Sequence, residues 1–476
     1  MGRACRPAAA SRPCVSSTLP SAARRFEGHM LDIANKVLEY ASGREVEQAE
    51  AYVSRSRSTS IRVYRREVDE LLSNSGSGVG IRVISGGSAG YAYTSDLSDE
   101  GLARAAAEAI DNAAVTAPDE FTGLPSPATE FAGLDLYNDK LQQTPVGEKI
   151  ELARSVEAAA LDYDRRVAQV EQAAYSESQA EVAIANTLGF ARSYRETSCY
   201  AFTMAIALQD GEMQTGVSFT TGREPGQLDG RACGREAAAK AVSLLGASQC
   251  ESMTCPVVMD PFVTAGLIGV IGSALTGESV QKQRSLFAGL ESRQVAGTGF
   301  SLVDDGIHPE GLASAPFDGE GVPTQQTPLI KNGVLQGFLY DTYSGRKDGC
   351  ASTGNGIRGS YSAIPHVGPN NLRVQGGEGS RDDIIASVEK GFFVSEVSGI
   401  HSGANAVSGD FSVGAAGHLI ESGKLTVPVR EVTIAGDILS MLKAIETVGD
   451  DCRWIPFGGS IHAPTVLVGK MTVSGR

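Results

Sequence analysis

Two long runs of alternating residues constrain this 476-residue chain more than any other feature: RVAQVEQAAYSESQAEVAIANTLG (166–189) and SCYAFTMAIALQDGEMQTGVSFT (198–220). A period of two over such lengths demands strands with one covered face. The Asp210-Gly211 pair inside the second run is a hairpin signal, so the strands are antiparallel. A helix precedes them, TPVGEKIELARSVEAAALDYD, read with Thr144 as N-cap and Pro145 in its first turn. Another follows, GREAAAKAVSLLG, stopped by Gly246.

The same order, helix then antiparallel strands then helix, is read nearer the start. MLDIANKVLEYASG is an amphipathic helix over 31–41. Two strand-like runs follow, AEAYVSRSRSTSIRVYRREVDELL and GVGIRVISGGSAGYAYTS, and then a helix with Ser98 as N-cap. Residues 30–115 thus form a first region and 144–247 a second. The Pro- and Gly-rich stretch 116–143 between them reads as a linker. A third region, 252–476, is mostly strand. Asn332-Gly333 and Ser422-Gly423 mark hairpins, and two helices interrupt it, one opening at Pro261 and one over 437–448. The expected class is α+β: N-terminal α/β sandwich-like regions with antiparallel sheets, then a β-rich C-terminal domain. Fifty-six glycines and only 6% aromatics suit strands, bulges and turns better than helical bundles.

Several function classes are disfavoured. Five Arg against one Glu in residues 1–29 contribute +4, which leaves −19 on the rest of a chain whose total is −15. A body so acidic does not grip phosphates unspecifically, and no direct nucleic-acid partner is expected. The Arg-, Ala- and Ser-rich head is either a transit-like or unstructured segment, or marks a mis-assigned start with Met30 the true one. PFVTAGLIGVIGSALTGE (261–278) runs seventeen residues from Pro261 to Gly277 without a charge, yet four glycines, two threonines and a serine dilute it. A membrane span needs roughly 20 apolar residues, so a soluble chain is expected. Eight cysteines without a CxxC pair fit a reducing cytoplasm and no zinc site. The six histidines include no HExxH. GNGIRG (354–359) matches GxGxxG but lacks the flanking strand and helix that a dinucleotide requires. The acidic stretches DDGIHPEG (304–311) and APFDGEGVP (315–323) read as solvated loops.

Four motifs in order carry a resemblance: VDELLSNSGSGVGIRVISGGSAGYAYTSD, GREAAAKAVSLL, GLASAPFDGEGVPTQQTPLIKNGVLQGFLYDTYSGRKDG and SGDFSVGAAGHLIESGKLTVPVREVTIAGDILSMLKAIETVGDD. Together they resemble the TldD/TldE (PmbA) family over about residues 30–476. The resemblance implies two kinds of subunit. TldD-type chains carry HExxxH on a helix and a later cysteine that together bind a catalytic metal, and TldE-type chains lack them. In this sequence the two histidine positions fall on Ile268 and Ser273, the glutamate position on Gly269, and the cysteine position near Phe457 to Gly459, with Cys452 outside the match. Ile and Gly bear no donor atom, Ser is a poor zinc ligand, and no carboxylate stands at Gly269 to activate water. The uncharged stretch is therefore read as a helix without ligands. Val263, Leu267, Val270 and Ala274 form an apolar stripe, and Phe262, Gly266, Gly269 and Ser273 a stripe of mainly small residues.

The implied function is that of a TldE/PmbA-like subunit. It would hold no metal or other cofactor itself, pair as a heterodimer with a TldD-type chain carrying zinc or a similar ion, and shape a cleft for unfolded peptide. Family members trim a modified peptide precursor and degrade an unstructured antitoxin, and the older family name is modulator of DNA gyrase. Peptide capture by strand addition is expected of a glycine- and strand-rich region. Candidate cleft residues lie in SGDFSVGAAGH: Ser408, Gly409, Asp410, Gly414, Gly417 and His418. The rivals are a stand-alone peptide-binding or chaperone-like protein, and a hydrolase with its own Ser or Cys nucleophile.

Overall fold

The computed structural model describes residues 21–42, 46–456 and 459–476. Helix α1 (Ser21–Ser42) starts earlier than the amphipathic pattern from Met30 suggests, and its backbone takes in residues 21–29. Residues 1–20 lie outside those described. Next come β1 (Gln48–Tyr64), β2 (Glu67–Ser85), β3 (Ser88–Thr94), α2 (Asp99–Val115), the short α3 (Lys140–Gln143) and α4 (Val146–Leu161). They are followed by β4 (Val167–Asn186), β5 (Ala191–Gln209), β6 (Glu212–Gly222) and α5 (Gly230–Ser243). Three strands stand where the sequence suggested two. The chain reverses at Arg65-Arg66, both with positive φ (52° and 65°), and neither residue is a turn signal. Ser98 caps α2 by accepting from the Gly101 amide, as its position suggested. At α4 the cap position is Pro145, not Thr144, which instead ends α3.

The two N-terminal regions share one antiparallel sheet, ordered β3-β2-β1-β4-β5-β6. The join is β1 against β4, for example Ile61 opposite Tyr175 and Tyr52 opposite Ile184. One face of this sheet carries two separate apolar cores. α1 and α2 cover Ala51, Val53 and Ile81, while α4 and α5 cover Ile61, Val63 and Tyr175. The stretch read as a linker packs along the sheet. Leu124 and Leu136 are buried, and the Thr197 amide donates to the Leu136 carbonyl.

The C-terminal strands are β7 (Met253–Met259), β8 (Leu302–Asp305), β9 (Gln326–Lys331), β10 (Val334–Leu335), β11 (Gly356–Ile357), β12 (His366–Val367) and β13 (Asn371–Val374). Then follow β14 (Lys390–Ser398), β15 (Asp410–Glu421), β16 (Lys424–Asp437), β17 (Ile445–Val448), β18 (Arg453–Ile455), β19 (Ser460–Ala463) and β20 (Val466–Ser474). One sheet runs β16-β15-β14-β7-β20-β17, and β16 also pairs with β20, which closes a barrel. A second runs β10-β9-β8-β13-β19-β18. Between them lies α6 (Pro261–Ala274) in the largest core cluster. Asn332-Gly333 and Ser422-Gly423 form their hairpins with positive φ at both positions. The helix read over 437–448 is helical only from Ile438 to Lys443 and then becomes β17.

The acidic stretches are not solvated loops. Asp304 and Asp305 are buried in β8, and Asp318 and Glu320 are buried too. Glu320 belongs to an ion cluster that ties the C-terminal region to the N-terminal sheet. Glu50 on β1 accepts from Arg358 at 2.5 Å and from Arg82 on β2 at 3.0 Å, and Arg82 reaches Glu320 at 3.2 Å. Beside it Phe317 packs edge-on against Phe190 and Tyr194. Arg358 lies in the GNGIRG stretch, whose residues are thus used for packing.

Candidate functional site

The α6 sequence sets its own limits. Asp260 caps it by accepting from the Phe262 amide at 3.0 Å, and Pro261 occupies the first turn, where its missing N–H costs nothing. Burial raises the Asp260 carboxyl pKa, against the pull of Lys240 and its bond to the Phe262 amide. The buried arc holds Val263, Leu267, Ile268, Ile271 and Ala274. Val270, placed on the core stripe by spacing, instead lines a cavity with Phe262, Gly266, Gly269 and Ser273. Fully buried Ile271 takes the core position. A methyl group at Gly266 would lie 2.6 Å from the end of the Ile400 side chain, which would have to turn aside.

The cavity measures about 570 Å³. β6 supplies Thr215 and Val217, α5 supplies Lys240 and its C-cap residue is Leu244, β14 supplies Ser395–Val397, and Ile400 and His401 close one side. Most of the wall is apolar, with charge at one end. Phe219 and Phe262 meet edge to face at 4.9 Å, and Lys240 Nζ sits 4.3 Å from the Phe262 ring centre. Arg453 lies 5.5 Å from the same ring. Glu236 gathers both cations, Arg453 at 2.7 Å and Lys240 at 3.1 Å, and accepts from the Ser218 hydroxyl. Burial pushes the Glu236 carboxyl up, but Lys240, Arg453 and Ser218 outweigh it and hold it at about 2. Glu396, at the rim, is pushed up by its surroundings despite Lys240.

One wall is a strand edge. β7 accompanies β14 only from Phe392 to Val394, and the Asp260 amide closes that pairing on the Val394 carbonyl. β14 continues to Ser398 with β15 alone beside it. Where β7 gives way to α6, Ser395, Glu396 and Val397 of this stretch line the cavity.

Among the positions singled out from sequence, Gly269 and Ser273 line the cavity and Ile268 points into the core with Phe300 and Met441. Five positions on a helix turn through about 140°, which separates Ile268 from Ser273. These three do not make a zinc site. Ile268 and Gly269 have no donor, and the Ser273 hydroxyl donates to the Val270 carbonyl at 2.8 Å. Among the described residues no group of three His, Cys, Asp or Glu side chains could hold a metal ion. Phe457 and Gly458 lie outside those described.

The six candidates in 408–418 lie elsewhere and none lines the cavity. Ser408 and Gly409 turn into β15, where Gly409 has φ +85°. Asp410 stands opposite Asp437. Gly414 sits against Ser398, and buried Gly417 against the Phe393 carbonyl. His418 Nε2 donates to the Ser243 carbonyl at 2.9 Å, and burial lowers its pKa. Sequence reasoning missed Lys240, Glu236 and Arg453. Their meeting joins positions 217 residues apart, and nothing in either stretch alone signals it.

Comparison with known proteins places this arrangement. Three family models match in order: PmbA/TldA metallopeptidase domain 1 over residues 49–113, the central domain over 139–245 and the C-terminal domain over 252–475. The chain belongs to the PmbA/TldD metallopeptidase family. It is 31% identical to the metalloprotease PmbA of Escherichia coli O157:H7, covering 94% of this chain and 96% of that one. A TldD homologue from Haemophilus influenzae is 29% identical, covering 92% and 95%. Its fold matches TldE from Thermococcus kodakarensis with a TM-score of 0.86 at 25% identity, covering 94% of this chain and 100% of that one. A Thermotoga maritima protein described as a candidate modulator of DNA gyrase gives 0.86 at 30% identity, covering 93% and 99%. Among the described residues of this family member no helix is long and apolar enough to cross a membrane.

Proposed function

We propose that this chain is a TldE/PmbA-type subunit that binds unfolded peptide and relies on a TldD-type partner for its metal and its bond cleavage. The observation that carries the reading is the α6 cavity. The helix positions that resemblance assigns to the two histidines and the glutamate of the metal motif hold Ile268, Ser273 and Gly269, and the space beside them is a mostly apolar chamber bordered by an unpaired strand edge. An extended peptide adds a strand to such an edge through backbone hydrogen bonds and sets alternate side chains in the pocket. Strand addition would use Ser395–Ser398, where β14 has β15 alone beside it. Phe262, Val270 and Ile400 would hold an apolar side chain. The turn at Ser408-Gly409 leads into β15, which pairs with β14.

Chemistry at this wall stops at binding. Ser273 and Ser395 donate to backbone carbonyls, so neither hydroxyl is aligned by a base as a nucleophile. The test is to purify the chain alone and with a TldD-type partner, measuring metal per subunit and cleavage of an unfolded peptide. Zinc and turnover belong to the pair, with the ion on the partner. Stoichiometric zinc and peptide cleavage by the isolated chain would refute the reading. Retained peptide binding by the chain without any effect on the partner's cleavage would favour a stand-alone binder.

A further inference from the structure

Charge at one end of the α6 cavity does not balance. Lys240 and Arg453 bring two positive groups, while Glu236, Asp260 and Glu396 bring three carboxyls. Glu236 is satisfied, with Lys240, Arg453 and the Ser218 hydroxyl all held on it. Asp260 is buried and caps α6. Of the three, only Glu396 lines the cavity. It is exposed there, and among the described residues its side chain has no hydrogen bond or ion pair. The backbone explains its position. Strand alternation from buried Val394 would carry Glu396 into the core as well. Instead the register against β15 shifts between Val394 and Glu396, with Ser395 the extra residue. A bulge of this kind re-aims the side chains beside it. Val397 then packs on the α6 core, and Glu396 is left at the rim.

We infer that Glu396 selects a positive group on the bound peptide: the cavity takes an apolar side chain with an ammonium or guanidinium group on the same residue or the next. The inference rests on the peptide reading above and names the class of sequence preferred. Phe262, Val270 and Ile400 suit the apolar part. A ligand cation gives Glu396 the partner that it lacks, and opposite charges side by side on a sheet stabilise each other. The surroundings raise the Glu396 pKa despite Lys240, as expected of a carboxylate short of partners. The cation already on the wall does not fill that place, because Lys240 is drawn to Glu236 at 3.1 Å and to the Phe262 ring. His401 is the remaining titratable side chain on the wall. A peptide carboxylate in the same place meets an unpaired like charge, so the discrimination works by repulsion as well as attraction.

Fluorescence anisotropy of the full chain with unfolded peptides labelled at the C-terminus tests it. Three acetylated peptides differ only in whether a central leucine is followed by lysine, glutamine or glutamate. A fourth begins with leucine, has a free amino terminus and contains no lysine or arginine, and its acetylated form is the control. The lysine peptide should bind about five-fold more tightly than the glutamine peptide, and the glutamate peptide more weakly than both. A preference for lysine assigns the positive group to a side chain, and a preference for the free amino terminus over its acetylated form assigns it to the end of the peptide; either supports the inference. Glu396→Gln should bring the preference to one and Glu396→Lys should reverse it, with the far-UV circular dichroism unchanged. Equal affinity for charged and neutral peptides, or a preference that survives in Glu396→Gln, would overturn this inference and leave peptide binding in place. No binding of any peptide would overturn the peptide reading and this inference with it.

Discussion

Removing the carboxylate of Glu50 should destabilise the protein more than removing the guanidinium of Arg358, although the two form the same buried pair. Both side chains are fully buried. Glu50 has two cationic partners, Arg358 at 2.5 Å and Arg82 at 3.0 Å, whereas Arg358 has one carboxylate partner, and its Nε and Nη1 are unpaired. Glu50→Gln therefore strands Arg358 inside the protein, with only the Tyr52 ring 4.6 Å away to receive its charge. Arg358→Met leaves Glu50 still paired to Arg82. Stranding a buried charge costs about 3–5 kcal/mol, so Glu50→Gln belongs near the top of that range and Arg358→Met at or below its bottom. The pH dependence follows from the same cluster. Burial pushes the Glu50 carboxyl up, but Arg82 and Arg358 outweigh it, so its folded pKa lies below the ordinary 4.5. Its stabilisation is thus complete above that value and is lost as the pH falls through it. Urea unfolding, followed by the fluorescence of the single Trp454, measures the difference at pH 7, and the gap between the native chain and Glu50→Gln should narrow as the pH falls below 4.5. Equal stability at pH 7, or a larger loss for Arg358→Met, would show that the cluster does not clamp the sheet to the C-terminal region.

Asp260→Ala should cost about 1 kcal/mol through the lost helix cap. Asp260→Asn should match or exceed the native chain at pH 7, because a carboxyl with a raised pKa destabilises the fold as it ionises above 3.8; thermal melts compare the three. Glu236 is about one-third exposed, so its pKa of about 2 converts after solvent screening to roughly 1 kcal/mol rather than the roughly 3 of full value. Glu236→Gln should lose that amount at neutral pH, and the gap should close between pH 4.5 and about 2, as read by chemical denaturation across pH. Gly269→Leu projects a side chain into the cavity; fluorescence anisotropy of a labelled unfolded peptide should fall to the free value while the melting temperature stays within a few degrees.

Much of the architecture was legible in local patterns. Period-two runs set β4 to β6, and the Asp210, Asn332 and Ser422 turns sit where a glycine follows a residue that tolerates positive φ. Ser98 signalled its helix because a cap is a contact within one turn. The Arg65-Arg66 reversal carried no such signal, and it is imposed by the pairing of β1 with β2 along their whole length. The α6 stripes were half right, since spacing orders residues around a helix but does not say which arc meets the core and which meets a void. The acidic stretches misled for a related reason. Asp304 and Glu320 are held in the interior by partners far along the chain, Asn355 and Arg82.

The sequence by itself determined the α+β class, the three glycine-marked hairpins, the family and the absence of donor atoms at Ile268 and Gly269, because each of these is written in contiguous residues. The tertiary structure alone decided that the two N-terminal regions share a sheet, that the barrel closes, and that Lys240, Glu236 and Arg453 meet beside α6. Those facts depend on which distant segments touch, and a side chain's surroundings, not its identity, fix its charge state and its role.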